Sequence, residues 1–379
     1  HDQTACECNS LCETYGDCCD DFVSACKSCA GRCGEAYLYS KPCQCNDDCA
    51  SHGNCCNDYD QECGGITSGP GLLSCVGRCG ESFNPANPCH CNTACESHSN
   101  CCSDYNDICG GGGGGATDGE LRALSEQILA ADVNGVGSQL TVDDQGQTSS
   151  SSNADEAPLP LLTVPESALS GPTIAALLAL QDNYVADVAF DEDDTTEEMV
   201  EKDNFLDLIM ATDVMNITEA FLQDKGLINR PLREVIDEIW FTQYSRSGGH
   251  VGSSGFEHSF VGELKGGQVS GFHNWVRFQN EEKNGFLNYK GWLKSPVGLG
   301  EEGEVFMLKF DWLSEPKTIG SMWIGTSPEL ELAMYTVCFY ARTDSLCPVT
   351  MDGNNFHVQT WTFDYSGKTL VGSAYPDID

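Results

Sequence analysis

The sequence predicts an α+β protein: small disulfide-rich modules come first, then a helical subdomain, then antiparallel-β subdomains. Three observations carry this. Of 24 cysteines, 22 precede Gly110 and only Cys338 and Cys347 follow. Apolar residues then recur at helical spacing, as in Leu121, Leu124, Ile128 and Leu129. From Gly255 onward, runs of β-branched and aromatic residues alternate with Gly, Pro and Asp turns. A chain of 379 residues is long enough for two or three domains and a substantial core. No apolar run reaches the roughly 18 residues that would mark a membrane span.

The cysteines repeat. Cys29, Cys33, Cys43, Cys45, Cys49, Cys55, Cys56 and Cys63 have the same spacing as Cys75, Cys79, Cys89, Cys91, Cys95, Cys101, Cys102 and Cys109. Eight cysteines in 35 residues leave little room for an apolar core, so four disulfides per module would hold the fold. Cys6 to Cys26 reproduce the last six positions of the repeat, with one residue added before the end. The domains read as 1–26 (truncated module), 27–64, 73–110, a glycine linker at 111–116 and a body at 117–379. The start at His1, in mid-pattern and with no signal peptide, is that of a processed or trimmed product.

This repeat resembles the somatomedin-B-like domain, down to the Cys-Cys-x-Asp-Tyr core at Cys55 to Tyr59 and Cys101 to Tyr105. The resemblance implies pairing of the first cysteine with the fourth, second with eighth, third with seventh and fifth with sixth. In the truncated copy that leaves Cys8 and Cys26 without their usual partners, unless they pair with each other or the chain extends upstream. It also implies docking to extracellular proteins or matrix; disulfide spacers that present the body are the competing reading. Cysteine at this density belongs to an oxidising, secreted or extracellular setting.

The run Gly110–Gly115 has no preferred conformation, so the modules should move relative to the body. Residues 118–135 read as a helix stopped by Asn-Gly, and 136–160, rich in Ser, Asp and Gln, as a surface or disordered excursion. Helices are expected over 173–184, 197–210 and 231–244, with Pro231 in the first turn. The acidic run 191–198 lacks the spacing of a calcium loop. Asn216-Ile-Thr218 is a glycosylation sequon, informative only if the Asn is exposed. Strands are expected over 305–312, 322–326, 333–340, 357–363 and 369–375, with a Cys338–Cys347 disulfide.

Net charge is −39, distributed as −12 over 1–115, −20 over 116–249 and −7 over 250–379. That argues against tight non-specific nucleic-acid binding but leaves room for a local basic site, because the acidity lies away from the residues after 250.

Those residues hold the chemistry. His258 and His273 each follow a Gly-Phe step within apolar surroundings that read as strand or buried turn. No His-Glu-x-x-His zinc pattern and no Gly-x-Ser-x-Gly elbow is present; Gly252-Ser253-Ser254-Gly255 is only a glycine-flanked serine pair. Two imidazoles that ionise near neutrality can serve as acid and base. With one lysine they form a kit for an RNA phosphodiester: one removes the 2′-hydroxyl proton, the other protonates the leaving 5′-oxygen, and the ammonium stabilises the phosphorane. The structural alternative is two ordinary buried histidines.

Residues 117–379 resemble the EndoU (XendoU-like, placental protein 11-like) family of poly(U)-specific endoribonucleases. The resemblance rests on Ser254-Gly-Phe-Glu-His258-x-Phe-Val-Gly-Glu263, Gly271-Phe-His273-Asn-Trp275, Gly320 to Cys338, Gln359-Thr-Trp-Thr-Phe and Gly372-Ser-Ala-Tyr-Pro376. It implies catalysis by His258, His273 and Lys317, with His273 the base and His258 the acid. It further implies substrate-binding positions at Glu257, Glu263, Thr360 and Tyr375, of which Thr360 and Tyr375 would meet uracil and sugar. Single-stranded, uridine-containing RNA is the implied substrate, with 2′,3′-cyclic phosphate and 5′-hydroxyl ends as products. Manganese, in some members calcium, is implied as a stimulant. Our own reading of the charge makes such an ion a screen between acidic protein and phosphate. A non-enzymatic secreted RNA- or protein-binding module is the competing class, and a serine protease lacks a credible triad.

Overall fold

The structure, a computed structural model, describes residues 115–378 apart from 193–194 and 247–248. Before residue 115 it describes only positions 29, 32–33, 43–45, 49, 55–56, 75, 83, 87, 89–92, 95, 100–102 and 105. The chain divides into two units, His1–Gly112 and Gly113–Asp379.

In the first unit, disulfides join Cys29 to Cys45, Cys43 to Cys56 and Cys49 to Cys55, and likewise Cys75 to Cys91, Cys89 to Cys102 and Cys95 to Cys101. These are the expected first-to-fourth, third-to-seventh and fifth-to-sixth pairs. The second-to-eighth pair and the truncated module lie outside the described residues. Among the described residues of the two complete modules, most of the buried ones are cysteine, with Gln44, His90 and Tyr105 beside them.

The second unit begins with helices α1 (Asp118–Ala130), α2 (Pro172–Leu180), α3 (Thr196–Met210), α4 (Asp213–Asp224) and α5 (Leu232–Phe241). Their starts follow local chemistry. Thr117 and Thr195 form capping boxes with Glu120 and Glu198, and Thr212 caps α4. The helix α4 is not among those expected from the sequence. Between α1 and α2, residues 136–160 are the surface excursion of the two alternatives, largely exposed but ordered. They carry strand β1 (Thr141–Val142), which pairs with β2 (Leu162–Thr163), and their carbonyls receive the Lys309 ammonium at Ser150 (3.4 Å) and at Ser152.

The β part contains a short hairpin, β3 (Glu263–Leu264) with β4 (Val269–Ser270), and two three-stranded antiparallel sheets. One is ordered β5 (Leu287–Gly298), β6 (Glu304–Trp312), β7 (Glu315–Ile324). The other is β8 (Leu346–Met351), β9 (Asn354–Tyr365), β10 (Lys368–Asp377).

Two segments expected as strand are helical: α6 (Trp275–Lys283), capped by the Asn274 side chain, and α7 (Pro328–Ala341), capped by Ser327 with Pro328 in its first turn. The reason for α7 is burial on nearly every side. A helix without a polar face shows no 3.6-residue alternation, and its Val, Tyr and Phe imitate a strand. It forms the centre of the core, where Thr336 accepts the Trp240 indole N–H at 2.9 Å and Tyr335 accepts that of Trp323 at 2.8 Å. The Cys338–Cys347 disulfide ties its end to β8.

Candidate active site

The site is built by a backbone clasp. Residues Glu257–Val261 make one π-helical turn, closed by a hydrogen bond from Gly262 N–H to the Glu257 carbonyl at 2.8 Å. Gly271 and Phe272 follow with φ of +64° and +67°. A Cβ at Gly271 would lie 1.8 Å from the His258 carbonyl oxygen, so only glycine fits. The close approach lets Phe272 N–H donate to the His258 carbonyl at 2.8 Å and His273 N–H to the Ser259 carbonyl at 2.7 Å. Two histidines fifteen residues apart in sequence are thereby fixed side by side.

Both face a cavity of about 320 Å³ together with Gly271, Lys317, Ser373 and Tyr375. Lys317 comes from β7 and donates to the Gly271 carbonyl at 2.6 Å. Tyr375 comes from β10, its ring stacked on His273 with centroids 5.0 Å apart. Ile319 adds an apolar wall, and Trp361, 46% exposed, reaches the Tyr375 hydroxyl with its indole N–H at 3.3 Å.

The histidines differ in what holds them. His273 Nδ1 lies 2.7 Å from the Ser321 carbonyl, which can only accept, so Nδ1 carries the proton and Nε2 keeps its lone pair. Burial and then the Lys317 charge push its pKa well below the ordinary histidine value, against the carbonyl. Nδ1 of His258 lies 2.7 Å from Glu263 Oε2. Burial lowers its pKa too, but the Glu263 charge resists, and the net fall is smaller. Burial alone would raise Glu263. The His258 pair, Arg246 and the Ser253 hydroxyl outweigh it and hold the carboxylate below its ordinary range. Burial brings Lys317 down to about 8, with Glu263 opposing.

A cavity that faces two imidazoles and an ammonium, with a hydroxyl and a phenol beyond, has the groups for phosphodiester cleavage. The family description "Endoribonuclease XendoU" matches residues 120–376. The chain belongs to the XendoU endoribonuclease family. Somatomedin B domains match at 1–28, 27–65 and 73–112. Uridylate-specific endoribonuclease D of Xenopus laevis is 38% identical over 275 residues, covering 69% of this chain and 90% of its own. The uridylate-specific endoribonuclease of Mus musculus is 34% identical over 416 aligned positions, covering 98% and 90%. The solved structure of XendoU, described as a splicing-independent snoRNA-processing endoribonuclease, superposes with a TM-score of 0.57 at 34% identity, over 68% of this chain and 96% of that one.

In this XendoU-family chain, the sequence-derived residues divide. His258, His273, Lys317 and Tyr375 meet at the cavity. Glu257, Glu263 and Thr360, the other positions implied by the resemblance, are fully buried and do not line it. Thr360 pairs with Ala374 in the β9–β10 ladder and points with it to the core, because side chains alternate between faces of a strand. The same alternation brings Ser373, two residues before Tyr375, to the cavity; the Gly372-Ser-Ala-Tyr motif carried that signal. Glu263 acts from behind His258. Ser253 donates to Glu263 and is buried, so the glycine-flanked serine pair supplies support and no nucleophile.

The resemblance to the family implies a divalent ion, which needs oxygen or nitrogen donors that converge. Among the described residues no three carboxylate or imidazole ligands converge within 4.8 Å. Glu257 is the residue that fits. Both its oxygens are buried without a hydrogen-bond partner, and burial, with the charges of Glu192 and Glu263, pushes its carboxyl up to about 10. The charge of Glu192 reaches Glu257, so these are the two carboxylates that would hold a hard cation that takes oxygen ligands.

Proposed function

We propose that this protein cleaves single-stranded RNA at uridylates by transesterification. The observation that carries the reading is that the free Nε2 of His273, the carboxylate-backed His258 and the Lys317 ammonium belong to one cavity. In the proposed reaction His273 Nε2 takes the ribose 2′-hydroxyl proton as the 2′-oxygen attacks phosphorus. The bond from phosphorus to the 5′-oxygen breaks, and His258 protonates the departing oxygen from Nε2 while Glu263 holds the imidazolium. Lys317 faces the charge that builds on the phosphorane oxygens. The products are a 2′,3′-cyclic phosphate and a 5′-hydroxyl. In this reading Ser373 and Tyr375, which line the cavity, meet the uracil edge and the sugar, and the exposed Trp361 takes a neighbouring base.

The test uses oligonucleotides with one uridine or none, with and without manganese, and identifies the new ends by mass. Cleavage at the uridine with a cyclic phosphate is expected, and His258→Ala or His273→Ala should each cost at least about 10²-fold. A folded variant that still cuts at the wild-type rate removes its histidine from the mechanism. Binding without cutting by the wild-type protein would favour the non-enzymatic reading.

Manganese or calcium would be held by Glu257 and Glu192 and would favour the ionised form of Glu257. Because that carboxyl is protonated up to about pH 10, the ion competes with a proton and should bind better as pH rises. Manganese is expected to raise the melting temperature of the wild type more at pH 8 than at pH 6, and not that of Glu257→Gln. A response that persists in Glu257→Gln and vanishes in high salt would assign the ion to charge screening. The disulfides and somatomedin B modules support a secreted protein whose modules dock an extracellular protein partner.

A further inference from the structure

Arg246 does not line the cavity, yet its guanidinium touches both halves of the machinery behind it. The side chain is 12% exposed. On one side Nε donates to the Ser253 hydroxyl at 2.7 Å and lies 3.4 Å from Glu263 Oε1, the carboxylate whose other oxygen holds His258. On the other side Nη2 donates to the Tyr244 hydroxyl at 2.5 Å and to the Gly372 carbonyl. Tyr244 in turn donates to the Val371 carbonyl at 2.9 Å. The guanidinium also stands over the Tyr244 and Phe363 rings, 5.0 and 5.5 Å from their centroids.

The second set of contacts falls at a particular place. The β9–β10 register shifts between Val371 and Ser373, so Gly372 is the residue at which β10 is irregular. The residues that β10 sends to the cavity, Ser373, Tyr375 and Asp377, all follow it, the first immediately. A bulge re-aims the side chains beyond it, and its geometry is set by whatever binds its free carbonyls. Here those carbonyls are held by Arg246 and by the tyrosine it contacts.

We propose that Arg246 is a positioning residue that locks the His258–Glu263 pair and the Ser373–Tyr375 wall of β10 into one register, so that proton donation and base choice depend on one guanidinium. The inference rests on the uridylate-cleaving reading. Only a planar fork can serve both sides at once; lysine offers a single charged point and can serve one.

The experiment compares the full chain with Arg246→Met and Arg246→Lys on oligonucleotides with a single uridine or a single cytidine in one adenosine background. For Arg246→Met, kcat on uridine should fall about 10²-fold with KM little changed, and the uridine-over-cytidine ratio of kcat/KM should fall about 10-fold. Arg246→Lys should recover much of kcat while the ratio stays low. Binding of 2′-deoxyuridine and 2′-deoxycytidine oligonucleotides reads the base-choice half without turnover, so it decides that half even if the wild type cuts nothing, a result that would instead count against the proposed activity. A lower melting temperature with both kcat and base preference at wild-type values would make Arg246 a fold staple and overturn the inference. If Arg246→Met fails to fold, Arg246→Lys decides alone, and a wild-type uridine preference in it overturns the inference.

Discussion

At the residue scale, the partners of the two histidines suit the roles proposed for them. Both pKa values are lowered by burial, that of His273 further than that of His258, because Glu263 backs only the latter. Between the two values the base is free and the acid is charged. The kcat/KM profile of the free enzyme should therefore be a bell centred on the acid side of neutrality, its acidic limb from His273 and its alkaline limb from His258. Replacing Glu263 by Gln removes the charge that raises His258, so the alkaline limb should move to lower pH and the bell should narrow. An unmoved limb in that variant would separate Glu263 from the acid. The histidines, Lys317 and Tyr375 were legible because long motifs surround them. Ser373 was in reach through its two-residue offset from Tyr375. Arg246 was not, since its role depends on contacts with Glu263, 17 residues on, and Gly372, 126 residues on.

At the element scale, the clasp of the π-helical turn with Gly271–His273 is the least tolerant part of the site. Gly271→Ala would put a methyl group against the His258 carbonyl at a positive φ. We expect a loss of roughly 3 kcal/mol or more in stability, read by denaturant unfolding, with cleavage lost as well; a variant as stable as the wild type would mean the clasp opens without cost. The helices α1, α3 and α5 were legible because each keeps a polar face and a capping or proline start. The helix α7 was not, because a helix enclosed on all sides has no periodicity to read. The helix α6 was hidden by its apolar opening, Trp275, Val276 and Phe278, which are buried. The six described module disulfides, by contrast, are those the somatomedin-B resemblance implies; the cysteine spacing carried the resemblance, and the pairing came from it alone.

At the scale of the whole molecule, the catalytic unit starts within the glycine run, at Gly113, and the Xenopus relative aligns over 69% of this chain while using 90% of its own length. A chain cut to residues 113–379 should thus cleave a short uridine oligonucleotide within about two-fold of the full chain, a change below the scatter of single contacts. A large drop would give the modules a part in turnover. Within that unit, the segment from residue 250 on, which holds the histidines and Lys317, carries the smaller excess of acid. The hydrogen bonds from Phe272 and His273 to the turn that bears His258 have a consequence for how such a molecule fails. The two histidines proposed as base and acid are stitched by the same few main-chain links, so heat or a protease that frees one frees both. Ageing or damaged preparations should contain fully competent and fully dead molecules, with no lingering half-active form.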